Sequence, residues 1–167
     1  ARTPIGKAYR GAFNNTTPQA LAAHAIENAV KRAGVDVLEI QDCIIGAALQ
    51  QGHSGGNIAR QAAVRAGLPV TVAGMSLDRQ CASGMMAIAT AAKQVITDGM
   101  DVVIGGGVES ISMVQTPEMR VKVDSWLKEH KPEIYMQMLE TAETVAERYN
   151  VSRERQDEYA ARSQELT

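Results

Sequence analysis

Two cysteines, three histidines and a carboxylate in a glycine-rich run are the first candidates for chemistry in this 167-residue chain. Cys81 stands in "LDRQCASGMMAI", Leu77 to Ile88, between the extended run "VTVAGMSLD" and the helical run "ASGMMAIATAAKQVI". In open α/β sheets, reacting groups gather beyond the carboxyl ends of the strands, where helices begin. Backbone N–H groups at a helix start face outward and the macrodipole favours negative charge, so the position suits a thiolate. Ala82, Ser83 and Gly84 follow at once and leave a substrate room to approach. These features fit a nucleophile. They also fit a small buried hydrophobe, the usual condition of a lone cysteine. Cys43, inside the apolar "DCIIGAAL", reads as core packing.

"IGGGVESIS", Ile104 to Ser112, is the second constellation. Its glycines allow backbone to approach a ligand or a packed neighbour closely. The run is not GxGxxG and no helix signal follows it directly, so a dinucleotide site is disfavoured. Glu109 reads either as a buried hydrogen-bonding carboxylate or as a turn residue. A base for Cys81 should be a histidine positioned by the fold. His24 falls on a helix, His53 in the glycine-rich loop "QQGHSGG" and His130 in a charged segment. Only His53 lies in a plausible loop, and none has a spacing that demands the role.

The elements that must position these residues are legible from caps and periodicity. "TTPQALAAHAIENAVKRAG" has Thr17 as cap, Pro18 in the first turn, an apolar face through Leu21, Ala22, Ala25, Ile26, Ala29 and Val30, and Gly34 as stop. "EIQDCIIGAAL" reads as a buried strand. A helix capped by Asn57, a strand over 70–78, a helix over 82–97 and a strand over 101–106 follow. Alternating short apolar runs and helices imply parallel strands with helical crossovers, an α/β layered domain over 1–116. The remaining residues, 117–167, are charged, carry the only tryptophan and read as a helical insertion, with Ser152 capping "RERQDEYAARSQ".

Composition excludes several classes. Net charge is −2 and aromatics make up 4%, so nucleic-acid binding is not expected. No apolar run approaches the roughly 18 residues of a membrane span, and "ARTPIGKAYRG" lacks the apolar core of a signal peptide. The two cysteines, 38 positions apart, form neither a CxxC pair nor a zinc pattern, so no metal is expected. A reducing cytoplasm, or an organelle matrix, fits best.

Four motifs together resemble the thiolase family: "ARTPIGKAYRGAF", "DRQCASGMMAI", "GGGVESIS" and "TAETVAERYNVSRERQDEYAARSQ", in that order and from Ala1 nearly to the end. The resemblance implies a layered thiolase fold, specifically the N-terminal half with the start of the helical loop domain. It implies that Cys81 is the acyl-accepting nucleophile of an acyl-CoA acyltransferase in fatty acid metabolism. Coenzyme A would be substrate and product, with no separate cofactor. The thiolate would attack an acyl-CoA thioester and hold the acyl group, for Claisen condensation with a second acyl-CoA or, in reverse, thiolysis of a 3-ketoacyl-CoA. Family members are dimers or tetramers, and an edge strand near 70–78 is the expected dimer contact.

The resemblance also implies partners for Cys81 in a second half-domain: a histidine in an Asn-Glu motif, another in a Gly-His pair, and a second cysteine. None of these motifs occurs here, nor does the short strand that precedes "ARTP" in the family. A piece of a longer protein is therefore expected, one that could be acylated but would not turn over. Met138, in "MQMLETAE", falls at a position that lies near the acyl pocket in relatives, with Leu139 where they often carry glycine. Ordinary helix packing is the alternative for Met136 and Met138. A ketoacyl synthase, another condensing enzyme of the superfamily, would carry a run closer to Thr-Ala-Cys-Ser. A non-catalytic thiolase-like acyl- or lipid-binding protein is the alternative from another class.

Losing half of a sheet exposes apolar surface and strand edges. These 167 residues expressed alone should aggregate or fail to fold; a soluble monomer with a cooperative melt would overturn that expectation.

Overall fold

The first helix forms where its caps say it should. Thr17 accepts a hydrogen bond from the amide of Ala20, Pro18 opens the turn, and Gly34 ends the helix in the left-handed conformation at φ 68°. This helix, α1 (Pro18–Ala33), is followed by β1 (Ile40–Gly46), α2 (Ile58–Arg65), β2 (Ala73–Leu77), α3 (Ser83–Thr97), β3 (Val102–Gly107) and the one-turn α4 (Ile111–Val114). The computed structural model describes residues 1–119 and 122–167. It divides into two compact units, Ala1–Arg120 and Val121–Thr167.

In the first unit the three strands are parallel in the order β2-β1-β3. Parallel pairing demands crossover connections, and α2 and α3 supply them. β1 is the central strand, and all of it but Gln41 is buried. Its side chains alternate between two cores. Cys43 and Ile45 pack with Ala22, Ile26, Ala59 and Ala62 from α1 and α2. Ile44 packs on the opposite face with Ala87 and Ala91 of α3. The unit is thus a three-layer α/β/α arrangement with β1 at its centre. β2 is an edge strand, but its Gly74 carbonyl accepts a hydrogen bond from Asn57 Nδ2, and its Ser76 hydroxyl holds the amide of Ala59, so α2 is laced to that edge.

Glycine decides how closely α3 approaches the sheet. A Cβ on Gly46 would lie 2.2 Å from the backbone carbon and oxygen of Ser83. One on Gly105 would lie 3.0 Å from Ile88 Cα, and one on Gly107 3.0 Å from Gly84 Cα. The helix therefore rests on strand backbone, with no side chain between them at these points. Burial on α3 is one-sided: Ala87 is fully buried, whereas Met85 and Ile96 are 72% and 81% exposed on the far face.

The second unit is helical: α5 (Ser125–His130), α6 (Met138–Arg148) and α7 (Arg153–Glu165). Asp124 caps α5 by accepting from the amide of Leu127, and Ser152 caps α7 by accepting from Arg155. None of its described residues is fully buried. Among the described residues no helix is long and apolar enough to cross a membrane.

The observed elements differ from the expected ones at their ends. The second strand is Ala73–Leu77 rather than 70–78, because Val70 and Val72 present their carbonyls to the Arg60 guanidinium instead of to a strand. A helical turn, α4, does follow the glycine run, with the amides of Met113 and Val114 donating to the Ser110 carbonyl.

Two measurements test this packing. Gly46→Ala places a methyl group against unyielding backbone and should cost about 3 kcal/mol or more, the top of the overpacking range. Gly34→Ala meets nothing within 4 Å, and should cost only the roughly 1–2 kcal/mol of a left-handed non-glycine residue. Urea denaturation of the full-length protein gives both values. Cys43 is fully buried, and burial, reinforced by the adjacent Asp42 carboxylate, pushes its thiol from 9.0 up to about 12. The neutral thiol's stabilising contribution is complete below about pH 9 and is lost as pH rises toward about 12. The stability difference between wild type and Cys43→Ala should therefore stay constant below that window and shrink through it.

Candidate active site

Five residues, Asp78 to Ala82, carry the chain from the end of β2 into α3. Within this short reversal Gln80 takes the left-handed conformation at φ 48°. Its amide donates to Asp78 Oδ1 at 2.7 Å, a side-chain-closed turn. The Ser83 hydroxyl accepts from the Arg79 amide at 2.8 Å and donates to the Gln80 carbonyl at 2.6 Å. Two backbone bonds, Ala82 to Arg79 and Ser83 to Gln80, complete the turn. Cys81 sits at its crest and is exposed.

The thiol opens onto a cleft of about 580 Å³. Gly46, Ala47, Ala48 and Leu49 line it from the end of β1; Gly107, Val108 and Glu109 from the end of β3; Ile111 and Gln115 from α4; and Ser83 and Gly84 from α3. Pairing continues past the strands at this mouth. The Ala47 amide donates to the Leu77 carbonyl and the Val108 amide to the Gly46 carbonyl, both at 3.0 Å. Glu109 Oε2 accepts from the Ala48 amide at 2.8 Å. Glu109 is thus an exposed residue that hydrogen-bonds across the cleft mouth, combining parts of the two readings its sequence allowed. The described lining mixes small residues with Leu49, Val108 and Ile111, and it presents the Cys81 thiol while the Ser83 hydroxyl is bonded within the turn.

Within the first unit, the structure places the other candidates away from this cleft. Cys43 is sealed in the core on β1. His24 is exposed on α1. His53 lines a different cleft, of about 600 Å³, with Gln19, Gln61 and Arg65. His130 belongs to the second unit, where its ring stacks on Trp126 at a centroid distance of 4.4 Å. Met138 also lies in that unit, at the first position of α6 and 75% exposed, while Met136 meets the Thr144 hydroxyl through its sulfur at 3.9 Å. No histidine lines the Cys81 cleft. Among the described residues no group of three or more His, Cys, Asp or Glu is placed to hold a metal ion.

Sequence reasoning takes Cys81 as its candidate, and the structure places it exposed at this cleft; what holds the turn escapes that reading. Asp78 was legible in principle, since an aspartate two positions before an amide is a turn signature. The two bonds of the Ser83 hydroxyl and the approach of Gly46 are long-range or orientational, and no spacing announces them.

Comparison with known proteins follows the same outline. The family described as "Thiolase, N-terminal domain" matches residues 1–167. The chain is 42% identical over 163 residues to a 3-ketoacyl-CoA thiolase of Bacillus subtilis (strain 168), covering 98% of this chain and 42% of that protein. It is 36% identical to an acetyl-CoA acetyltransferase of Rhizobium meliloti (strain 1021), covering 98% of this chain and 44% of that one. The crystal structure of the Bacillus anthracis acetyl-CoA acetyltransferase superposes with a TM-score of 0.83 at 39% identity, over 99% of this chain and 44% of that one. The chain thus spans less than half the length of the relatives it matches. Its parallel layered fold, its motifs and these matches agree, and the chain belongs to the thiolase family, in its N-terminal domain.

Proposed function

We propose that this domain supplies the acyl-accepting nucleophile of an acyl-CoA C-acyltransferase. The observation that carries the reading is Cys81, exposed at the crest of a tightly bonded strand-to-helix turn and facing that cleft. In the proposed reaction the thiolate attacks the carbonyl carbon of an acyl-CoA thioester. The tetrahedral oxyanion collapses, the C–S bond to coenzyme A breaks, and the acyl group remains on Cys81 as a new thioester while coenzyme A leaves as its thiolate. A thiolate serves as nucleophile here and as leaving group when the acyl group moves on. In the synthetic direction the α-carbanion of a second acyl-CoA attacks this thioester, forming a C–C bond and returning the Cys81 thiolate. In the degradative direction the Cys81 thiolate attacks the 3-keto carbon of a 3-ketoacyl-CoA, the C2–C3 bond breaks, and the departing acetyl-CoA α-carbanion takes up a proton; the thiolate of coenzyme A then takes the acyl group and returns the Cys81 thiolate.

Backbone amides at the start of α3 suit the oxyanion. The amides of Ala82 and Ser83 are already used within the turn, so the Cys81 amide is the donor proposed for it, and the macrodipole of a 15-residue helix adds positive potential there. The described lining of the cleft includes no histidine; by the family resemblance, the proton abstracted from the second acyl-CoA is assigned to the acid/base residues of the family's second half-domain. Met138 is proposed, from the family resemblance, as an acyl-pocket residue. The exposed edge of β2 supports assembly as a homodimer or homotetramer. The thiol chemistry fits a reducing compartment, the cytoplasm or an organelle matrix.

The test is intact mass after incubation of the full-length protein with acetyl-CoA. Wild type should gain the mass of one acetyl group, and Cys81→Ser should not, while Cys43→Ala should be labelled like wild type. No gain in folded wild-type protein would overturn the acyl-cysteine mechanism and favour a binding protein. A gain that persists in Cys81→Ser would assign the nucleophile elsewhere.

A further inference from the structure

We infer that Asp78 and Ser83 are positioning residues for Cys81, acting through the left-handed turn at Gln80. The inference rests on the acyl-cysteine reading and deepens it. A non-glycine residue at φ 48° is strained and persists only where its surroundings impose it. Here two side chains impose it from opposite sides. Asp78 Oδ1 takes the Gln80 amide at 2.7 Å, fixing the entry to the turn. The Ser83 hydroxyl spans the turn, receiving the Arg79 amide at 2.8 Å and giving its own proton to the Gln80 carbonyl at 2.6 Å.

Cys81 lies between these anchor points, so its backbone has little freedom that the two side chains do not control. Ser83 is itself immobile. It is buried (4% exposed), and its backbone carbonyl is pressed against Gly46 of the central strand. The hydroxyl therefore transmits the position of the sheet to the turn that carries the thiol. Neither side chain needs to touch the acyl group. Their effect is to keep the sulfur at the mouth of the cleft in one place relative to the start of α3, and reaction rate is steeply sensitive to such placement.

The test uses the full-length protein and five forms: wild type, Ser83→Ala, Asp78→Ala, Asp78→Asn and Thr90→Ala. Thr90 is the control, a hydroxyl on the same helix that bonds only the Met86 carbonyl one turn back. Asp78 is exposed, so its variants keep the fold even if Ser83→Ala, at a buried site, does not. The single-turnover acetylation rate at saturating acetyl-CoA should fall about 10- to 100-fold in Ser83→Ala and Asp78→Ala, as expected for a displaced nucleophile. The concentration of acetyl-CoA giving half the maximal rate should move less than about threefold, since Asp78 does not line the cleft and the Ser83 hydroxyl is spent on bonds within the turn. Asp78→Asn should restore the rate to within about threefold of wild type, because an amide oxygen accepts the same bond. Thr90→Ala should match wild type.

Rates in both alanine variants within that margin, an Asp78→Asn variant as slow as Asp78→Ala, or an equal loss in Thr90→Ala would each overturn the assignment. Alkylation of Cys81 by iodoacetamide, which needs no acyl-CoA, runs in parallel. If wild type takes no acetyl group, the acyl-cysteine reading fails. Positioning is then decided by whether the alkylation rate changes in the two alanine variants and is kept in Asp78→Asn and Thr90→Ala.

Discussion

The fold of the first unit depends on helix backbone meeting strand backbone at Gly46. A single methyl group there would collide with the Ser83 carbonyl at 2.2 Å, far inside any tolerated approach. Because it is absent, the first turn of α3 settles directly on the end of the central strand, and Gly105 and Gly107 let the same helix lie down along β3. Three consequences follow from that one contact. The Gly46 carbonyl is held to accept from the Val108 amide. The link from β2 must reverse within five residues. The residue at the crest of that reversal, Cys81, is delivered to the junction of all three strands' carboxyl ends.

The two cysteines show how position rather than residue type sets reactivity. Cys43 has no solvent exposure, faces α1 and α2, and neighbours the buried Asp42 carboxylate, whose Oδ1 accepts its own amide at 2.7 Å. A thiolate there would be both desolvated and repelled, and the thiol is held neutral. Cys81 is exposed on a turn whose neighbours are small. The sheet therefore contributes one inert and one accessible sulfur, and only the second faces a cleft that could admit a thioester.

Much of this is legible in the sequence. Thr17, Gly34, Asn57 and Ser152 announced helix ends through local hydrogen bonding, which sequence encodes directly. The apolar run that begins at Cys43 announces a strand covered on both faces. What was hidden depended on partners distant in sequence. Strand 70–78 came out shorter because Arg60 claims two of its carbonyls. Glu109 was ambiguous because its partner, the Ala48 amide, lies 61 residues away. Gln80 gave no sign of a left-handed backbone, since glutamine has no preference for that region.

That last case also explains why the turn is bonded so heavily. Left-handed strain of roughly 1–2 kcal/mol at Gln80 must be offset locally, because a single-residue distortion can relax by unwinding the first turn of α3. Net stabilisation by one ordinary hydrogen bond is about 1 kcal/mol, and bonds to an ionised carboxylate contribute somewhat more. Asp78 and the two bonds of the Ser83 hydroxyl together exceed the strain, and loss of either side chain narrows that surplus. The surplus is what turns a strained conformation into a rigid one, and rigidity is the property a nucleophile at a cleft mouth requires.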